Sequence, residues 1–381
     1  MTNHADIIVI GTGGVGSAAL CHLARRGARV LGIDRFPGGH DRGSSHGHSR
    51  IIRLAYFEHP DYVPLLRRAY DLWADLERTH RETLLLRTGL LEVGSPTGPT
   101  IRGVLAAASQ HRLVVDELSP DECRRRFPGF VVPEFAAAVF EAQAGVLRVE
   151  RCVLAHLVQA RRSGAAAVFG ESVLGWTASP SGVEVTTDRN VYHAAGLVVA
   201  AGPWARQLLG SLRVPLQVRR KHLHWYPGPA ESYAAERGCP AFFFETGVGE
   251  FYGIPAFDGH GLKAGEHSGG AVVADPLIDE RVIDMEDRQR VESFLNVHLP
   301  RLGRPALDHR TCFYTMSPDC HFVIDRHPEH ANVAIAAGLS GHGFKFTGVL
   351  GEALADLVTT GRTDLPIGFL GLARLRGPSH H

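Results

Sequence analysis

The chain has 381 residues, of which 44% are hydrophobic and 21% charged, a balance that buries a substantial core and excludes a chain disordered throughout. Forty basic and forty acidic residues cancel, so no global field draws it to nucleic acid or to an anionic membrane, and any anion it binds must be met by local groups. Six cysteines (Cys21, Cys123, Cys152, Cys239, Cys312 and Cys320) form no CxxC pair and no zinc-ligand spacing, which predicts reduced thiols in a cytoplasmic protein without a metal. The apolar start DIIVIG is one strand long and lacks a basic leader, and no segment approaches the roughly 20 apolar residues of a membrane span.

Taken in chain order, Asp6 to Ile10 reads as a strand, Gly11 to Gly16 as a glycine turn, the small-residue run through Arg26 as a helix, and Ala28 to Asp34 as a second strand. That is one βαβ unit. Gly38 to Arg50 is a Gly/Ser/His-rich loop ordered by a ligand or by its neighbours, and Tyr62 to Leu76 repeats apolar residues at helical spacing. Short strands and one helix, Thr100 to Gln110, fill Arg87 to Phe140; helix Glu150 to Ser163 and strands Gly182 to Thr187 and Leu197 to Ala201 follow. From Pro215 to Cys312, aromatic strand-like segments such as HLHWY, AFFF and FYGI alternate with Gly/Pro turns, which predicts a mostly antiparallel sheet. Strand Val333 to Ala337, glycine turn Gly338 to Gly343 and helix Thr347 to Thr359 close the chain before a frayed tail, RLRGPSHH. A strand-turn-helix unit so late predicts a nucleotide domain that is discontinuous in sequence.

Gly11-Thr12-Gly13-Gly14-Val15-Gly16 fits G-x-G-x-x-G between a strand and a helix. Gly11 allows the tight turn, Gly13 lets backbone approach a pyrophosphate, and Gly16 permits close helix packing, while the helix N-terminus receives the phosphate charge. Asp34, ending the second strand, can accept hydrogen bonds from ribose hydroxyls and disfavours a 2′-phosphate. The motif alone does not separate NAD from FAD. Arg50 and Arg53, three apart, would share one face if the segment turned helically, and two guanidiniums beside a Gly/Ser loop suit an anion; a solvated basic face is the plainer alternative. His46 and His48 read as polar loop residues, since no third metal ligand is near.

From DIIVIGTGGVG through SSHGHSRIIRLAYFEHPDYVPL and GLKAGEH to TCFYTMSPDCHFVIDRHPEHANVAIAAGLSGHGFKF, the chain resembles the monomeric sarcosine oxidase and N-methyltryptophan oxidase family of flavoproteins, essentially end to end. The resemblance implies a mixed α/β (α+β) fold: a Rossmann-type FAD-binding domain (residues 1–86, 141–214 and 306–381) and an antiparallel-sheet substrate domain (87–140 and 215–305), as in glycine oxidase and D-amino-acid oxidase. It implies FAD held by Gly11, Gly13, Gly14, Gly16, Asp34, Arg35, Ser45, Ser49, Arg50, Gly341, Gly343, Phe344 and Lys345, and joined through its 8α-methyl group to Cys312 of Cys312-Phe313-Tyr314-Thr315. Without the resemblance Cys312 reads as a buried inert thiol, as do the other five cysteines. Lys263 matches the family lysine that sits over the flavin and assists reaction with O2, and His267, Tyr252 and Tyr314 match pocket residues. Arg53 and Lys345 match the clamp on the substrate carboxylate, and Arg50 completes the catalytic set. Tyr56 stays with the core aromatics.

The implied function is a monomeric FAD-dependent amine oxidase of a small secondary amine acid, sarcosine or another N-methyl amino acid. Hydride passes to flavin N5, the imine hydrolyses, and O2 becomes H2O2. Alternatives are a dehydrogenase or oxidase of a cyclic imino acid or a specialised-metabolite amine, a dehydrogenase that passes electrons to a protein or quinone, a flavin-binding subunit without chemistry, and an NAD dehydrogenase. Ser49 in place of threonine, the basic Arg219-Arg220-Lys221 and the stretch FFFETGVGEF depart from the family pattern, so the substrate stays open.

Overall fold

The computed structural model describes residues 4–212 and 214–375, so residues 376–381 of the tail expected to fray lie outside the described residues. One sheet is built around His4–Ile10, which pairs in parallel with Val30–Asp34 on one side and Val191–Val199 on the other. Val30–Asp34 continues in parallel to Ala166–Phe169, and Val191–Val199 to Val333–Ala337. The two inner strands Val30–Asp34 and Val333–Ala337 are buried at every residue, as expected for parallel strands covered on both faces. Hairpin Val173–Ser179 and Gly182–Thr187 extends the sheet antiparallel, and Val323–Arg326 borders Val333–Ala337. Helix Gly14–Arg25 packs against helices Val149–Arg162 and Thr347–Thr360. Small residues permit that approach: a Cβ on Gly351 would stand 2.6 Å from the Ala18 Cβ.

The second sheet runs in the order Asp308–Met316, Gln217–Tyr226, Leu262–Glu266, Gly249–Ile254, Ala241–Thr246, Leu90–Gly94, Ala137–Glu141 and Asp116–Leu118. It is antiparallel throughout apart from the pair Ala241–Thr246 and Leu90–Gly94, which joins two segments distant in sequence. Helix Met285–His298 covers one face, with Val291, Phe294 and Leu295 against Phe242, Phe244 and Phe251. Strand-like segments were expected to dominate between residues 215 and 312, and no helix was named there. The helix forms because Asp284 caps it, accepting from Glu286 N at 3.0 Å and Asp287 N at 3.1 Å, and because Val291, Phe294, Leu295 and His298 recur at helical spacing. A second unexpected helix, Pro120–Arg126, is started by the Ser119–Glu122 capping box.

A three-stranded sheet of Ser49–Ile52, Gly145–Arg148 and Leu85–Leu86 lies between these layers in sequence. The helical turn that would have put Arg50 and Arg53 on one face is not formed. Arg50 stands in the strand and Arg53 just past its end, because Ile51 and Ile52 favour the extended backbone.

Candidate active site

Two cavities adjoin. The larger, about 1390 Å³ of open space, is lined by Gly11, Gly13, Gly14, Asp34, Arg35, Ser45, Arg50, Gly341, Gly343 and Phe344, all expected at a flavin. The smaller, about 550 Å³, is lined by Arg50, Arg53, Tyr252, His267, Tyr314 and Lys345, together with Glu58, Phe243, Ile254 and His342. Arg50, Tyr314, Gly341 and Phe344 belong to both walls.

The glycine turn has the shape a pyrophosphate needs. Gly11 adopts φ +83°, and a Cβ on Gly16 would lie 1.8 Å from the Gly11 carbonyl oxygen, so neither position accepts a side chain. Gly13 differs: a Cβ there would meet nothing but Ser45 Oγ at 3.8 Å, which leaves open space before the backbone. Helix Gly14–Arg25 carries no acid in its first turn and no side-chain cap at Gly13, so its positive end remains available to an anion. Asp34 accepts from Thr12 N at 2.6 Å, Thr12 Oγ1 at 3.0 Å and Phe36 N at 3.0 Å, which fixes the carboxylate at the cavity wall. Trp204 Nε1, Thr315 Oγ1 and Thr347 Oγ1 belong to residues of the same wall and have no hydrogen-bond partner among the described residues. Buried polar atoms are rarely left so, and a large polar ligand such as FAD fits both the space and these unmet groups.

Arg53 and Lys345 both line the smaller cavity. The Arg53 Nη2 donates to Glu58 at 2.6 Å, and Lys345 Nζ donates to the His342 carbonyl at 2.8 Å and to the Tyr56 hydroxyl at 3.3 Å. The proton order follows from the acceptors. His342 Nε2 lies 2.9 Å from the Cys320 carbonyl, which only accepts, so Nδ1 is the acceptor for the Tyr56 hydroxyl at 2.6 Å. Burial, then the charge of Arg53, brings Lys345 down to about 7. Burial raises Glu58, yet Arg53, His342 and Lys345 overcome it and hold the carboxyl at about 2. His267, 3.2 Å from the Tyr314 hydroxyl through Nδ1, is lowered to about 3 by burial and Lys221, so it is neutral near pH 7.

Other expected residues lie one layer out. Lys263 lines neither cavity; its ammonium, almost wholly buried, donates to the carbonyls of Ser49 at 2.6 Å and Gly47 at 3.0 Å. Burial, then Arg50, pushes its pKa well below the ordinary lysine value. Ser49 and Gly16 likewise line neither cavity: Ser49 accepts from Lys263 through its carbonyl, and Gly16 packs on Gly11, which lines the larger one. Cys312 is buried beside Leu223, Trp225, Tyr252 and Tyr314, next in sequence to three residues of the larger cavity, Phe313 to Thr315. Cys320, expected to be buried, is exposed.

Several residues of the site were not singled out. Tyr56, assigned to the core, supports Lys345 and lies under the Arg53 guanidinium, 4.8 Å from its ring centre. Glu58 and His342 stand on the cavity wall. His46, expected as a polar loop residue, is buried with both ring nitrogens unpartnered among the described residues, and burial followed by Arg50 lowers it to about 2. Away from both cavities, His327, Glu329 and His330 offer ligand atoms within 4.8 Å of one another, although no metal was expected.

The model of the family described as FAD dependent oxidoreductase matches residues 6–357. A monomeric sarcosine oxidase of Streptomyces avermitilis is 43% identical, covering 97% of both chains. An N-methyl-L-tryptophan oxidase of Salmonella dublin is 37% identical, covering 92% of this chain and 94% of its own. Among solved structures, a Tyr258Phe mutant of NikD, an amino acid oxidase of nikkomycin biosynthesis, superposes with a TM-score of 0.87 at 25% identity over 97% of each chain. Glycine oxidase from Geobacillus kaustophilus shares the fold, with a TM-score of 0.84 at 19% identity over 99% of this chain and 100% of its own. With a glycine turn and cavity that fit FAD and relatives matched along nearly the whole length, the chain belongs to the FAD-dependent oxidoreductase family that includes the monomeric sarcosine oxidases and N-methyl-L-tryptophan oxidases.

Proposed function

We propose that the protein is an FAD-dependent oxidase of a secondary amine acid, sarcosine or another N-methyl amino acid, that releases H2O2 and works as a monomer in the cytoplasm. The observation that carries this is the pair of buried cations, Arg53 and Lys345, in a cavity that shares its wall with the space fitting FAD. Relatives named for sarcosine and N-methyl-L-tryptophan point to the same substrate class. When bound, FAD accepts a hydride from the carbon beside the substrate nitrogen and passes the electrons to O2.

The chain's own residues supply the rest. Arg53 and Lys345 bind the carboxylate, and fixing that end holds the reacting carbon in one orientation. Neutral His267 offers hydrogen bonding without adding a positive charge near the amine, which must lose its proton to react. Lys263, in its protonated form, supplies a cation for the oxygen step. We place Cys312 as the point of covalent attachment, in the segment adjoining the cavity.

Peroxide release across a panel of N-methyl and cyclic amino acids, read beside anaerobic flavin reduction, tests the assignment. Reduction without peroxide would favour a dehydrogenase, and no reduction by any member would remove the activity. Arg53→Ala is expected to raise KM more than tenfold, since a charged hydrogen bond contributes about 1.5–3 kcal/mol. An unchanged KM would dismiss the clamp. For the linkage, Cys312→Ser protein should lose its yellow colour on acid precipitation while the parent keeps it. Equal retention would place the bond elsewhere.

A further inference from the structure

Glu92 lies mid-strand in Leu90–Gly94, fully buried, and neither carboxylate oxygen has a hydrogen-bond partner among the described residues. The cation closest to it is Arg53, whose Nε, likewise without a hydrogen bond, stands 3.6 Å from Glu92 Oε1. The far side of that guanidinium is engaged by Glu58 at 2.6 Å. Buried carboxylates are seldom left unsatisfied, and this one faces the back of a residue whose front lines the smaller cavity.

Its charged surroundings are few. On Ala137–Glu141, Glu141 spends its oxygens on Leu54 N at 2.8 Å and Ala55 N at 2.8 Å. On Ala241–Thr246, Glu245 turns away to Thr100 N at 2.7 Å. Helix Pro99–His111 adds Arg102, which is exposed, and His111 at its end. The remaining groups that act on Glu92 are Arg53, Glu58 and Lys345. Phe243, register partner of Glu92 across the parallel pair, walls the same cavity, so the strand is tied to the site by packing as well as by charge.

We propose that Glu92 is a positioning residue for the substrate's acid group: protonated, it leaves Arg53 and Lys345 a spare positive charge for the carboxylate, and ionised, it cancels that charge. The inference rests on the carboxylate clamp proposed above. Burial pushes Glu92 up to about 8 against the opposing pull of Arg53, with Glu141 and Glu58 adding to the rise. Glu58 is ionised and Lys345 titrates near 7, so the four-residue cluster passes from one net positive charge near pH 6 to one net negative charge near pH 9. Acid binding at alkaline pH therefore draws in protons, one at Lys345 and one at Glu92.

Calorimetry of the flavin-loaded protein with 3-methylbutanoate, a carboxylate without an amine, measures this when run in buffers of different ionisation heat from pH 6 to 9. The parent is expected to take up close to two protons per acid bound at pH 9. Glu92→Gln should take up close to one and bind about tenfold more tightly than the parent at that pH, the gap closing toward pH 6. Glu92→Leu, of similar size and without charge, should show the same loss of one proton and carries the test if the amide does not fold. Proton uptake like the parent's in a folded variant overturns the role of Glu92 alone. If the parent binds no carboxylate at any pH, or Arg53→Ala binds it as well as the parent, the clamp falls, and Glu92 with it.

Discussion

Lys263→Met is expected to slow reoxidation of the reduced flavin about 10²–10³-fold, the scale seen when a preorganised electrostatic contact is removed, while anaerobic reduction by substrate stays within a few-fold of the parent. Transfer of the first electron to O2 produces superoxide, an anion, in a buried region where a fixed ammonium acts at low dielectric. Lys263 is held in place by the carbonyls of Ser49 and Gly47, and the Gly47 amide is anchored in turn by Glu150 at 2.7 Å. Methionine matches the length and drops both the charge and the two hydrogen bonds. Lys263→Arg, which keeps donors and charge, separates loop disorder from lost electrostatics. Stopped-flow traces of the two half-reactions decide, and equal slowing of both would end the oxygen role.

Gly16→Ala is expected to abolish stable flavin binding. Its Cβ would enter the Gly11 carbonyl oxygen at 1.8 Å, and that oxygen is backbone, so the helix must move away from strand His4–Ile10. Overpacking at a backbone contact costs about 3 kcal/mol, which corresponds to more than a hundredfold in affinity if it falls on the bound state. Gly13→Ala offers a contrast, because the new methyl would meet only Ser45 Oγ at 3.8 Å within the protein. That variant should melt like the parent in the absence of flavin and still bind it poorly, since the methyl occupies space meant for the pyrophosphate. Flavin absorbance per polypeptide and thermal melts of both variants provide the check. Gly16→Ala protein with a full complement of flavin would refute the steric account.

Much of this was legible in the residues. The opening strand-turn-helix unit carries its own signals, a buried apolar run followed by glycines at fixed offsets, and it lies where the pattern put it. Helix Met285–His298 did not announce itself, because its first turns are polar and its apolar residues crowd toward the end. Spacing would put Arg50 and Arg53 on one face only if the segment turned helically, whereas the β-branched pair between them extends the chain. Family motifs led to the cavity wall, but the groups that contact its residues from behind are long-range partners. Tyr56 and His342 are 286 positions apart, and Glu92 sits in an ordinary-looking strand behind Arg53. No periodicity records such meetings.

The larger cavity takes one wall from Gly11 to Gly14 and another from Gly338 to Thr347, and strand Val333–Ala337 is buried beside Val191–Val199 in the same sheet. During translation the first wall leaves the ribosome long before the second has been made. Until that second wall exists a nascent chain cannot enclose the dinucleotide, so loading waits on contacts between segments far apart in sequence.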